Sequence, residues 1–574
     1  MPEELFQFNL ISMYRKQKQV DILQDGREEI GGKALGLLSI RKTLAGITPE
    51  KSSGIQINIP DMVVLGTSVF DAFMERNQLF EIAYSNIHDN RIAHAFQRAD
   101  MPFEVLGELR NLLEKWSMPL AVRSSGLLED TMQQPFAGVY LTKMIPNNAS
   151  NLETRFKKLI EAIKFVWAST FFIIAKDYTR ATNLNIRDEK MAVIIQKMVG
   201  KRHHERFYPE ISGVARSFNF YPVSPARPED GVVSLALGLG KTVVDGDKTW
   251  TYSPKYPKIP PPFKSLHDML HDTQNEFWVV NMGEVAEYDP IKETEYMQKE
   301  NLISAEKDGV LDHLASTFEP DSDRLSIGTG SQGPRILTFS PLLTLNTIAF
   351  NPLISEILKQ FEEKLACPVE IEFAMTFNPH QFNLLQVRPM KIHANTLKIT
   401  EDDLNDAHTL VASKSVLGNG ILEGIRDIVY VVPDQFELTF TKQIASELER
   451  HNQRLLDADH PYILIVFGRL GTLDPWLGIP LTWGQICGAK VIVEATQDNV
   501  KVELSQGSHY FHNIINLDIK YFSLPFSQPF RINWDWLGKQ KLIQEDKFTR
   551  HVQSDTILTV KVDGRSGWGA IYIA

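Results

Sequence analysis

The sequence predicts a mixed α/β (α+β) fold divided among several domains, and three observations predict it. Short apolar runs ended by polar or glycine turns read as strands, among them "MPLAVRSS" (118–125) and "KMAVIIQKMV" (190–199). Longer amphipathic stretches between them read as helices, the clearest over 151–181. The chain has 574 residues, which at roughly 150 residues per domain suggests about three or four domains.

Taken in order, residues 1–27 are polar and charged and read as an N-terminal extension. "EIGGKALGLLSIRKTL" reads as a glycine turn leading into an amphipathic helix. "INIPDMVVLGTSVFDAFM" gives a proline turn, a strand, and a helix capped by Thr67 or Ser68. "FVWASTFFIIA" (165–175), fenced by Lys164 and Lys176, is too short to span a bilayer and reads as part of a buried helix. "GVARSFNFYPV" and "GVVSLALGLG" are further strands. The proline-rich 252–265 cannot be sheet interior, and 290–330 reads as mixed polar and helical. "VEIEFAM", the turn "NPHQ" and "FNLLQV" form a hairpin. After Met390 the composition shifts, and 391–574 reads as a separate α/β unit. The resulting division is 1–27, 28–200, 201–390 and 391–574.

Bulk composition narrows the function classes. Hydrophobic residues make up 43% and charged residues 23%, ordinary for a globular chain. A net charge of -11 disfavours non-specific binding to nucleic acid or to an anionic membrane. Two cysteines, Cys367 and Cys487, support neither a disulfide framework nor a cysteine zinc site. The N-terminus lacks a signal-peptide apolar core, so a cytoplasmic location is expected.

Two stretches invite over-reading. "LGLGKT" (237–242) has Leu235 where a P-loop needs glycine, and Val243 where the dinucleotide fingerprint needs its third glycine. "KRHHERF" (201–207) offers adjacent histidines without metal-ligand spacing and reads as a solvated loop.

The residues that carry chemistry fit phosphoryl transfer, which needs cations on phosphate oxygens, a carboxylate for Mg²⁺ and a water-excluding loop. Lys33 follows Gly31-Gly32 at a helix start, where backbone N–H groups also favour anions. Arg123 ends a strand beside Ser124 and Ser125, ahead of Phe136-Ala137-Gly138. Glu372 lies in one arm of the late hairpin, and Gln386 and Arg388 lie in the other. Gln196, Lys197 and Met198 offer a strand whose backbone suits an adenine edge. Read singly, Lys33 also fits a surface lysine, Arg123 a partner for Glu129 or Asp130, Glu372 a solvent-facing position and Arg388 a domain-end cap.

Together "GGKALGL", "IPDMVVLGTSVF", "AVRSSGLLEDTMQQPFAGVYLT", "AVIIQKMV", "SGVARS", "GLGKTVVDG", "VEIEFAM" and "LLQVRPM", in this order, resemble the ATP-binding module of phosphoenolpyruvate synthase and pyruvate phosphate dikinase. The resemblance covers roughly residues 28–390. It implies an ATP-grasp fold with ATP and Mg²⁺ as cofactors. It further implies that Lys33 and Arg123 bind ATP phosphates, that Glu372 and Gln386 hold Mg²⁺, and that Arg388 binds the transferred phosphate. The loop through Gly138 would close over the phosphates.

The chain departs from that pattern at Lys241, where the family usually has glutamate, and at Ile174, where it usually has arginine. The 184 residues after Met390 are too few for a pyruvate-binding barrel, which takes about 250. In that tail His509, at a helix start after a glycine loop, is the candidate phosphoryl acceptor, against a structural or capping histidine. Arg469 and Asp474 either bind a ligand or brace a glycine-rich turn. The expected activity is ATP-dependent phosphoryl transfer to a histidine or another acceptor. The rival reading is a non-catalytic ATP-binding module.

Overall fold

The computed structural model describes residues 8–11, 27–44, 54–129, 138–181, 184–220, 222–263, 265–285, 287–390, 397–471, 478–481, 483–497, 519–525, 532–564 and 566–573. Asp130, Phe136, Ala137, Asp474 and His509 lie outside them. The chain divides into two compact units, one of Met1–Ala175 with Ile186–Met390, the other of Lys176–Asn185 with Lys391–Ala574. Both mix helix and sheet, so the α/β fold class holds.

In the first unit the leading elements are β1 (Phe8–Ile11), α1 (Arg27–Leu44), β2 (Gln56–Asn58), β3 (Met62–Leu65), α2 (Thr67–Arg76), β4 (Leu120–Gly126), β5 (Thr142–Ile145), α3 (Leu152–Ser169) and β6 (Met191–Lys197). A five-stranded sheet runs β1-β3-β6-β4-β5. Its central strand β6 is apolar and buried over Met191–Ile195, as expected of a strand covered on both faces. Next come β7 (Ile211–Arg216), β8 (Val232–Ala236), β9 (Trp250–Tyr252), α4 (Phe350–Leu365), β10 (Val369–Thr376) and β11 (Gln381–Pro389). These strands form a second sheet in the order β9-β8-β7-β10-β11-β2. One apolar core takes side chains from α1, both sheets and α4.

Several local expectations are corrected. Residues 151–181 form two helices, α3 and Ile173–Ala181. Between them Thr170, Phe171 and Phe172 donate to carbonyls three residues back, which tightens and ends the first helix. Phe171 turns inward against Phe70, Tyr84 and Phe96, and the Asp89 carboxylate accepts from the Ile173 N–H at 2.8 Å to start the second helix. α2 is capped by Gly66 rather than by Thr67 or Ser68. "KRHHERF" is a hairpin, Lys201–His203 against Arg206–Tyr208, because Phe207 and Tyr208 bury and draw it into the core. Residues 290–330 hold strands Met297–Asn301, Ala315–Glu319 and Arg324–Ile327 beside the α-helix Leu302–Lys307 and the 3₁₀ turn Leu311–His313.

The second unit is built on a nine-stranded sheet. Its middle is parallel: Gly420–Val431, Tyr462–Phe467, Ala489–Ala495 and Lys520–Leu524 pair in that order. The helix Thr441–Asp457 supplies the crossover that parallel neighbours require. The backbone of Arg469 there runs against Gly478, where a side chain would meet the Arg469 carbonyl at 2.0 Å. No helix among the described residues is long and apolar enough to cross a membrane.

Candidate functional site

The site begins with a broken helix. α1 starts at Arg27, but Gly31 takes φ 71 inside it, a left-handed conformation suited to glycine. The break leaves the Ile30 carbonyl and the Ala34 N–H, normally partners four residues apart, without each other. The Ser125 hydroxyl inserts between them: it donates to Ile30 O at 2.7 Å and accepts from Ala34 N at 3.0 Å. This fixes the turn bearing Lys33 to the end of β4. A side chain at position 31 would lie 1.8 Å from the Ser125 carbonyl oxygen.

Lys33 then reaches the next serine. Its Nζ donates to Ser124 Oγ at 3.2 Å and to Glu129 Oε1 at 2.9 Å, and the Ser124 hydroxyl donates to the same Glu129 oxygen at 2.9 Å. Glu129 thus pairs with Lys33, not with Arg123. Both serines are fully buried and brace Lys33 and the first turns of α1. Gly138 is exposed with φ 68, and the adjoining Phe136 and Ala137 lie outside the described residues.

Arg123 points from β4 towards the late hairpin. Its guanidinium donates to Leu385 O at 3.1 Å, Gln386 Oε1 at 3.2 Å and Gln196 Oε1 at 3.3 Å, and lies 4.0 Å from Glu372. In the hairpin Glu372 stands opposite Gln386 and Glu370 opposite Arg388. Arg388 Nη2 donates to Glu372 Oε1 at 2.7 Å and Gln386 Oε1 at 2.9 Å. Side chains about 250 residues apart in sequence, Arg123 and the 372–388 set, therefore form one polar cluster within the first unit.

Sequence reasoning missed Glu370 and Arg216. The two pair at 2.6 Å beside Arg388, with the glutamate side chain buried. The signal was present: in "VEIEF" the two glutamates are two apart and share one face of the strand. The adenine-edge expectation meets a difficulty. β6 is interior, and the N–H groups of Lys197 and Met198 already donate to Asp61 O at 3.0 Å and Pro119 O at 2.9 Å. Those two donors are not open to a base; Gln196 contributes its side chain instead. Lys197 pairs with Asp61 at 2.7 Å.

Of the departures, Lys241 is held between Asp245 at 3.0 Å and Glu293 at 3.4 Å. Its charge is thereby spent within the fold. Ile174 lies in the helix Ile173–Ala181, where the cation Arg180 is tied to Asp177 at 3.1 Å. Among the described residues no group of three or more histidine, cysteine, aspartate or glutamate side chains is spaced to hold a metal. Glu372 with Gln386 would instead be a pair of oxygen donors, the kind a hard cation such as Mg²⁺ accepts while keeping several waters.

A second carboxylate underpins the turn after β4. Glu189 is buried, accepts from Leu127 N and Tyr140 Oη at 2.7 Å each, and so joins both described ends of the 127–140 segment. Burial pushes its carboxyl up to about 7, with the neighbouring Glu129 charge adding to the rise and the Tyr140 hydrogen bond opposing it. The folded state therefore holds the proton more tightly than the unfolded chain. That contribution is whole below the ordinary carboxylate range and is lost as pH rises through about 7. Glu189→Gln, neutral throughout, is expected to gain stability relative to the parent by roughly 2–3 kcal/mol between pH 5 and 8. Urea unfolding of both proteins across that range checks it; parallel curves would contradict it.

Against this geometry the comparisons are specific. The family described as "Pyruvate phosphate dikinase, AMP/ATP-binding domain" matches residues 27–408. A phosphoenolpyruvate synthase of Aeropyrum pernix is 34% identical over 131 residues, covering 23% of this chain and 14% of its own. A probable phosphoenolpyruvate synthase of Archaeoglobus fulgidus is 26% identical over 214 residues, 33% of this chain and 25% of its own. A rifampicin phosphotransferase of Streptomyces sviceus is 33% identical over 129 residues, 22% and 12%. The chain thus matches a quarter or less of the length of each of these relatives.

Proposed function

Because this chain belongs to the pyruvate phosphate dikinase AMP/ATP-binding domain family, we propose that it is an ATP- and Mg²⁺-dependent phosphotransferase. Its acceptor is a histidine, with His509 as the candidate, or another molecule. The observation that supports the reading is the convergence of Arg123, Glu372, Gln386 and Arg388, with Lys33 bound to Ser124, the residue next to Arg123 on the same strand. A triphosphate is recognised by several cations held at fixed spacing, and here three come from separate segments.

In this reading Lys33 and Arg123 grip phosphate oxygens, Gln196 fixes Arg123 from below, and Arg388 meets the phosphoryl group in transfer. Glu372 and Gln386 would hold Mg²⁺, which when bound supplies charge neutralisation between the phosphates. Arg123 and Arg388 share the Gln386 oxygen and Arg388 also holds Glu372, so the cations are oriented before any ligand arrives, and these oxygens would reach Mg²⁺ by giving up guanidinium contacts. Preorganised cations of this kind stabilise charge that develops during transfer.

The test is incubation of the chain with Mg²⁺ and ATP labelled separately at the β- and γ-phosphates. Acid-labile label on the protein is expected, and its disappearance in His509→Ala identifies the acceptor. Label retained in that variant moves the acceptor elsewhere. Tight ATP binding with no turnover, alone or with cell extract, favours the non-catalytic module. No uptake of ATP by calorimetry removes the proposal.

A further inference from the structure

We propose that Glu129 is a positioning residue for Lys33, setting the direction in which its ammonium faces a bound phosphate; this rests on the reading of the cluster as a nucleotide site. Lysine carries its charge on a four-carbon stem with large rotamer freedom, so an ammonium that must meet one phosphate oxygen needs a second anchor. Glu129 provides it. Its side chain is 1% exposed against 11% for Lys33. One oxygen takes both the Lys33 ammonium and the Ser124 hydroxyl, and the other accepts from Gly126 N at 2.8 Å. The turn is closed by Glu129 N donating to Gly126 O at 3.3 Å.

The carboxylate is therefore fixed at the end of the very strand that carries Arg123. One short turn sets both early cations in a common frame, although Lys33 is 96 residues away from Glu129 in sequence. Two of the three ammonium donors are directed at Glu129 and Ser124, which orients the third. A negative charge so near a phosphate weakens ground-state anion binding slightly. Its benefit has to appear in the transfer step, and that separates positioning from simple bracing.

Four full-length proteins test this: the parent, Glu129→Gln, Glu129→Asp and Lys33→Met. Glu129→Gln can still accept from Gly126 N, so its thermal midpoint serves as a fold control. ATP cleavage by Glu129→Gln is expected to fall at least about 10-fold in kcat, with Kd for ATP unchanged or tighter. Glu129→Asp, which keeps the charge, is expected to recover most of that loss, whereas Lys33→Met weakens ATP binding. Without any nucleotide, trace acetylation read by mass spectrometry is expected to mark Lys33 several-fold faster in Glu129→Gln than in the parent. Unchanged Lys33 labelling overturns the proposal whatever ATP does. Parent-like cleavage by Glu129→Gln, or equal losses of affinity and rate, also overturns it. If the parent takes up no ATP, the nucleotide reading fails, and the labelling result alone decides whether Glu129 directs Lys33.

Discussion

Arg388→Ala is expected to lower phosphoryl transfer by about 10² or more while ATP affinity changes by less than about 3-fold. The side chain is 6% exposed and is held by Glu372 and Gln386 together. Such a guanidinium has little freedom to follow a ligand, so its contribution is greatest where charge accumulates during transfer rather than in the ground state. Removal also leaves Glu372 with Arg123, 4.0 Å away, as its remaining ion-pair partner. Breaking a buried pair from one side carries a stability cost of its own, so the thermal midpoint is expected to fall as well. Assays well below that midpoint separate the two effects. Arg388→Lys supplies the comparison: it keeps the charge but loses the planar guanidinium whose Nη2 serves Glu372 and Gln386, and an intermediate rate is expected. If Arg388→Ala loses affinity and rate together, the arginine is a ground-state binding group.

The hairpin was the most legible part of this site. A short turn between two alternating strands puts Glu372 and the 386–388 arm side by side. Regular register would set Glu372 opposite Leu385; one extra residue there, a bulge that the alternation does not announce, brings Gln386 opposite Glu372 with Arg388 two residues further on. The link from Arg123 to that hairpin rested on order of motifs, because no local rule brings residues 123 and 386 together. The Lys33–Glu129 pair is hidden for the same reason: by sequence alone the near neighbour Arg123 is as good a partner for Glu129 as a lysine 96 residues away. The adenine-edge expectation meets its difficulty in topology, which occupies the N–H groups of Lys197 and Met198. "AVIIQKMV" announces a buried strand, but nothing within it says that β3 and β4 flank it on both sides. The break after Ser169 likewise depends on Phe171 meeting aromatic partners from three other helices or turns, contacts that helical periodicity does not encode.

Gly31→Ala is expected to have the larger effect on the fold, and it reaches the site through one turn of helix. Two costs coincide at this position. The backbone sits at φ 71, where a side chain is disfavoured by about 1 kcal/mol or more. The new methyl group would also meet the Ser125 carbonyl oxygen at 1.8 Å and its carbon at 2.5 Å, which are backbone atoms of a paired strand and cannot rotate aside. The only relief is to lift α1 from β4. That motion opens the Ser125 bridge to Ile30 and Ala34 and carries Lys33 away from Ser124 and Glu129. A loss of roughly 3–5 kcal/mol is expected from backbone strain and the lost bridge combined, read as a fall in the urea midpoint. Ser125→Ala is the milder companion, since it removes the hydroxyl bridge without the clash; about 1–3 kcal/mol is expected from leaving two buried backbone groups unpaired. The order of the two variants tests the local account. Gly31→Ala no more destabilising than Ser125→Ala would mean that α1 can move off β4 freely, and the close approach of helix to strand could not then be what fixes Lys33.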